Sequence, residues 1–231
     1  MEENSQKTPI IISLGGSLII PEEIDVDFLK SFKTLIEEKI KAGDRFVLIC
    51  GGGKLCRKYQ EAAGSLNTLS QDDLDWLGIA STKLNAELVK HVFAPLTEES
   101  VVSDPFAETN FTKPILIASG WKPGWSTDYD AICLAEKFGA KKVINLSNID
   151  FVYDKDPRTN PDAQKIEKIS WADFREIIPK EWGAGLSSPF DPVASKKAEE
   201  LGIEVSILNG KKTEELKKCL DGEGFEGSII G

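Results

Sequence analysis

The stretch Arg45-Phe46-Val47-Leu48-Ile49-Cys50-Gly51-Gly52-Gly53-Lys54 decides the fold. From Phe46 to Cys50 nothing polar alternates with the apolar side chains, so the run reads as a strand buried on both faces. Three glycines end it, and Lys54–Ala63 reads as a helix. A strand, a glycine turn and a helix make half of a crossover unit, which implies parallel neighbours. The same rhythm extends both ways. Ile10–Leu14 ends in Gly15-Gly16, Pro114–Ala118 ends in Ser119-Gly120, and Lys142–Leu146 and Glu204–Leu208 are further strands. Phe28–Ala42 carries Phe28, Leu29, Phe32, Leu35, Ile36 and Ile40 on one helical stripe, with Gly43 as its stop. Asp72–His91, Asp128–Phe138, Ile169–Ile178 and Pro192–Leu201 are the other expected helices, and Pro157 and Pro161 mark a loop. The predicted fold is α/β: a three-layer α/β/α sandwich around an open, mainly parallel sheet.

Length and composition are compatible with one such unit. At roughly 150 residues per domain, 231 residues make one large domain or two small ones. With no linker or repeat in view, residues 1–231 read as a single domain. The chain is 41% hydrophobic and 29% charged, with a formal net charge of −10. That excludes a disordered chain and argues against sequence-blind nucleic-acid binding, which needs excess Lys and Arg. No apolar run is long enough to cross a bilayer. The polar, acidic start MEENSQKT is unlike a signal peptide. Cys50, Cys56, Cys133 and Cys219 form no CxxC pair and His91 is the single histidine, so a Cys/His zinc site lacks grouped ligands. Scattered cysteines point to free thiols in a reducing cytoplasm. A histidine-dependent mechanism would rest on His91 alone, which reads as a surface or interface residue.

The chemistry lies in three glycine-rich turns at strand ends: Leu14-Gly15-Gly16-Ser17, Gly51-Gly52-Gly53-Lys54, and Ser119-Gly120 running through Trp121, Lys122, Pro123, Gly124, Trp125 and Ser126 to Thr127. In an open α/β sheet, ligands lie beyond the carboxyl ends of the strands. Glycine admits a phosphate close to backbone N–H groups, and helix N-termini add positive charge. Neither GxxxxGK[ST] nor a helix-opening GxGxxG occurs, so an ordinary P-loop and a dinucleotide fingerprint are both absent.

These turns, together with Pro123-Gly124-Trp125-Ser126-Thr127-Asp128, the string Asn148-Ile149-Asp150-Phe151-Val152-Tyr153-Asp154-Lys155-Asp156-Pro157, and Asp191-Pro192-Val193-Ala194-Ser195-Lys196, resemble the amino acid kinase superfamily. They are most similar to its archaeal-type uridylate kinases. The motifs keep that family's order from Leu14 to Ser228-Ile229-Ile230, and the tyrosine-containing string is the most specific.

The resemblance implies transfer of the γ-phosphoryl group of ATP to UMP. The first half, to about residue 140, would hold UMP, and the second half ATP. Gly52, Asp75, Gly120, Trp121, Lys122, Pro123, Gly124, Trp125, Ser126 and Thr127 would face UMP. Ser17, Gly53, Arg57, Ser147, Asn148, Tyr153 and Asp156 would face ATP. Lys196, Asp191, Gly15 and Gly16 would be catalytic, with the glycines giving backbone donors. No protein metal site is expected, and Mg2+ would arrive with ATP. The family pattern also implies a homo-oligomer, a hexamer.

Three departures stand out: Ser13 where many superfamily kinases have lysine, Phe151 where glycine is usual, and an added carboxylate in Asp128-Tyr129-Asp130. Lys54 or Lys122 could replace the missing charge. Trp121 and Trp125 read equally as packing residues or as stacking partners for uracil. The alternatives are a kinase with a carboxylate or isoprenoid-monophosphate acceptor, and a non-catalytic nucleotide-binding or storage protein. Ser13 favours the last, and Lys196 with Asp191 opposes it.

Overall fold

A computed structural model describes residues 7–180 and 188–231; residues 1–6 of the polar start lie outside it. The chain runs β1 (Ile10–Leu14), α1 (Gly16–Ile19), α2 (Val26–Lys41), β2 (Phe46–Cys50), α3 (Gly53–Leu66), α4 (Gln71–Val92), β3 (Ile115–Ala118), α5 (Thr127–Phe138) and β4 (Lys142–Ser147). It continues through β5 (Val152–Tyr153), β6 (Lys165–Ile166), β7 (Lys168–Ile169), α6 (Trp171–Ile177), α7 (Pro192–Glu200), β8 (Glu204–Asn209), α8 (Thr213–Asp221) and β9 (Ser228–Ile230). Among the described residues, one seven-stranded sheet has the order β3-β2-β1-β4-β8-β9-β7, and β5 and β6 form a separate hairpin. β3, β2, β1, β4 and β8 are mutually parallel, and β9 is antiparallel to β8.

The apolar strands divide their side chains between two cores, because successive residues point to opposite faces. Ile11, Val47, Leu116, Val143 and Val205 pack with Ala131 and Ile132 of α5, Phe174 of α6 and Ala194 of α7. Ile12, Leu48, Ile117, Ile144 and Leu208 pack on the other face with Phe32 of α2, Val89 of α4 and Leu216 of α8. Helices therefore cover both faces, as the buried strands require.

The expected helix Ile169–Ile178 is corrected. Ile169 belongs to β7, and Ser170 caps α6 by accepting the Asp173 N–H at 3.1 Å. The apolar residues before that cap obey strand pairing with β9 rather than helical period. Short α1, the β5–β6 hairpin, α8 and β9 have no counterpart in the sequence reading. Each spans only one to three turns or a few paired residues, too short for periodicity to register.

The strand order fixes where a ligand belongs. From β1 the chain builds outward through β2 to β3; from β4 it builds the opposite way toward β8. The loops after β1 and β4 therefore part between adjacent strands, a topological switch point with a crevice at its carboxyl end.

Candidate active site

The first two glycine turns pack backbone against backbone at this crevice. A Cβ on Gly16 would lie 2.3 Å from the Gly53 nitrogen and 2.4 Å from the Gly51 carbonyl oxygen. Gly53 has φ +64°, and a Cβ there would lie 2.3 Å from the Gly16 carbonyl oxygen. No side chain fits between them. Asn85 of α4 steadies the second turn, its Nδ2 donating to the Gly51 carbonyl at 2.7 Å. The expected donor Gly15 is corrected: its N–H already donates to the Leu146 carbonyl at 2.8 Å, joining β1's turn to β4. Gly16 and Ser17 instead open α1. Gly52 is the N-cap of α3 and supplies no side-chain acceptor for the orphan N–H groups there.

The cations near these turns differ in their engagement. Lys54 and Lys58 both pair with Glu22. The Lys122 ammonium lies 3.9 Å from the Trp121 ring centroid. The two stand-ins for the charge absent at Ser13 thus make only surface contacts, Lys54 to Glu22 and Lys122 to a ring. Arg57 and Lys196 are exposed, with no carboxylate partner among the described residues, whereas Lys197 pairs with Glu136 at 2.7 Å.

The third turn is held from within. Gly120 N–H donates to Thr82 Oγ1 at 2.9 Å, Trp121 N–H to Asp130 Oδ2 at 3.1 Å, and Gly124 N–H to Asp75 Oδ2 at 2.8 Å. Asp75 is buried, and its other oxygen accepts from Gln71 at 3.2 Å. Its visible task is therefore to hold the turn against α4. Trp121 meets Phe106 edge-on at 5.2 Å and stacks with Trp125 at 6.2 Å, and Trp125 lies 4.2 Å from Tyr129. Both tryptophans are thus ring partners in a chain that runs onto α5. Ser126 caps α5, accepting the Tyr129 N–H at 3.2 Å, with Thr127 as its first residue.

At the centre stands Asp128, the last residue of the Pro123–Asp128 motif, to which sequence reading gave no role. Its Oδ1 accepts from Ser13 Oγ at 3.1 Å and from Asn145 Nδ2 at 3.4 Å, and its Oδ2 from the Asp191 N–H at 3.2 Å. It joins β1, β4 and the start of α7 in one contact set. Ser13 and Asn145 are register partners on adjacent parallel strands. Two polar residues at matched positions inside largely apolar strands were the available signal. Burial, then the nearby Asp191 charge, pushes the Asp128 carboxyl up to about 7, against the Ser13 hydroxyl and the Asp191 N–H. Asp191 caps α7, its Oδ1 accepting the Val193 and Ala194 N–H groups at 2.6 Å each. Burial raises its pKa as well, opposed by those N–H groups and by Ser126. Both carboxyls thus hold a proton more readily than a free aspartate.

Beyond β4, the Ser147 hydroxyl accepts the Ile149 N–H at 3.3 Å, while Asn148 is exposed. Tyr153 lies in β5, partly exposed. Asp156 is gripped by Arg158 at 3.0 and 2.8 Å, and its carbonyl holds the following turn. Phe151 lies beneath the Lys165 ammonium at 4.7 Å. His91 occupies the exposed last turn of α4, its Nδ1 2.8 Å from the Glu87 carbonyl oxygen. The four cysteines are free thiols, and no helix among the described residues is long and apolar enough to cross a membrane.

Comparison with known proteins fits this geometry. The sequence profile of the amino acid kinase family matches residues 8–209. The chain belongs to the amino acid kinase family. Among curated members, the uridylate kinase of Hyperthermus butylicus is 31% identical, covering 97% of this chain and 99% of its own. That of Thermococcus kodakarensis is 34% identical, covering 96% and 98%. The crystal structure of uridylate kinase from Archaeoglobus fulgidus superposes with TM-score 0.78 at 28% identity, covering 96% of this chain and all of its own. The UMP kinase of Bacillus anthracis gives TM-score 0.77 at 18% identity, over 97% of this chain and 96% of its own, a likeness of fold alone. In this amino acid kinase chain, the switch-point crevice is the candidate active site.

Proposed function

We propose that this chain transfers the γ-phosphoryl group of ATP to UMP, giving UDP and ADP. The carrying observation is the convergence of the three glycine turns, Asp128 and the Asp191 cap at one switch point, in a chain whose full-length relatives are named uridylate kinases. UMP lies in the first half, to about residue 140, against Gly52, Asp75 and the turn from Gly120 to Thr127. ATP lies against Gly16, Ser17, Gly53 and Arg57, with Ser147, Asn148, Tyr153 and Asp156 toward its ribose and base.

Phosphoryl transfer demands positioning and charge neutralisation more than covalent chemistry. The attacking phosphate oxygen of UMP is already ionised at neutral pH, so no general base is needed, and His91 has no role. Lys196 neutralises the transferring group, with Arg57 as another cation that has no carboxylate partner among the described residues. Asp191 fixes the start of α7 and so the course of the helix that carries Lys196. Mg2+ would arrive with ATP and supply screening of its phosphate charge, and the carboxylate oxygens of Asp128 and Asp191, hard donors of the kind it accepts, would hold it. Exposed Tyr59 and Leu66 on α3, with Trp76 and Leu84 on α4, support a homo-oligomer, a hexamer by family resemblance. The free thiols support a cytoplasmic setting.

An ATP-dependent transfer assay with UMP, CMP, dTMP, acetylglutamate and isopentenyl phosphate tests the acceptor. UMP is expected to be fastest. Faster phosphorylation of a carboxylate or an isoprenoid phosphate would overturn the reading.

A further inference from the structure

Asp130 has no task in the transfer just described, yet it is 1% exposed on the first turn of α5. One oxygen accepts the Trp121 N–H at 3.1 Å, and the other is buried without a hydrogen-bond partner. The groups facing it are the carboxyls of Asp104, Asp128 and Asp191 and the thiol of Cys133. Burying a carboxyl among carboxyls is unfavourable unless something is gained. The gain is visible in the turn. Thr82 and Asp75, both on α4, hold the N–H groups of Gly120 and Gly124, and the Asp130 hydrogen bond ties the segment between them to α5.

We propose that Asp130 is a positioning residue: its hold on the Trp121 N–H fixes the Gly120–Gly124 turn across α4 and α5, and so sets the shape that turn presents to the phosphoryl acceptor. The last step rests on the assignment of this turn to UMP. An amide of the same shape keeps a side-chain oxygen for the Trp121 N–H, whereas a side chain without an oxygen does not.

Asp130→Asn and Asp130→Ala of the full chain test this through two readouts: amide hydrogen exchange of the segment 119–127, and KM for UMP and ATP with kcat. Asp130→Asn is expected to match the parent within about twofold in both. Asp130→Ala should speed exchange in that segment by about tenfold, roughly the factor of one lost hydrogen bond. It should also raise KM for UMP about as much while leaving KM for ATP unchanged. Should Asp130→Ala fail to fold, Asp130→Leu, similar in shape and without an acceptor, makes the same comparison. Unchanged exchange in the folded Ala or Leu variant would overturn the proposal, as would Asp130→Asn failing as badly as Ala. Faster exchange with an unaltered KM for UMP would uphold the hold on the turn and remove the turn from the UMP site.

Discussion

At the residue scale, Lys196 is the cleanest probe of the chemistry because it is exposed and has no carboxylate partner among the described residues. Lys196→Ala should lower turnover by about 10²–10³, the usual cost of one transition-state donor. Its stability should stay within about 0.5 kcal/mol of the parent, as for other surface changes. Steady-state kinetics beside a denaturant curve would separate the two. Asp128 gives a pH signature of opposite sign to that of a salt-bridged carboxylate. Unfolded, it titrates near 3.8; folded, at about 7. The native state therefore binds more protons across that window, and stability contributed by the neutral acid is lost as pH rises toward and through 7. Asp128→Asn should flatten this fall, so that denaturation midpoints from pH 4 to 8 show the variant gaining most at the alkaline end. A parallel offset at all pH values would mean that Asp128 is ionised throughout.

At the element scale, the glycine turns are first of all packing devices. Gly16→Ala places a methyl 2.3 Å from the Gly53 nitrogen, with only backbone to move aside. Overpacking of this kind costs about 1–3 kcal/mol or more, and a urea midpoint should show it before any assay does. Loss of activity in Gly16→Val would accordingly report disrupted folding as well as any blocked phosphate. Asp191 separates capping from chemistry more cleanly. Asp191→Ala removes both acceptor contacts at the start of α7 and should cost about 0.5–2 kcal/mol, or a few degrees in Tm. Asp191→Ser restores a cap, because serine is as good an N-cap. If the carboxylate itself serves the transfer, the serine variant should regain Tm but not turnover.

At the scale of the whole molecule, the two proposed halves should respond to ligands separately. UMP at 100 times its Kd should stabilise the chain by about 2.7 kcal/mol if it binds only the folded state. Chelation by EDTA should stop transfer while leaving that UMP shift in place, a pair of outcomes that thermal melts and the transfer assay can read together. The sequence by itself determined the sheet and its two covered faces, because unbroken apolar strands cannot be satisfied in any other way. It also located the glycine turns and ordered the motifs. Gly52, Asp75, Asp191 and the Gly120–Thr127 turn do gather at the carboxyl end of the strands. Only the tertiary structure decided what each group there is bonded to. Asp128 lies far in sequence from both Ser13 and Asp191, so its contact set exists only once β1, β4 and α7 are in place. Gly15, Asp75 and Lys54 looked free for a ligand, yet their groups are engaged by Leu146, Gly124 and Glu22. A residue's type and spacing fix which hydrogen bonds it can make; its neighbours in space decide which of them remain for a substrate.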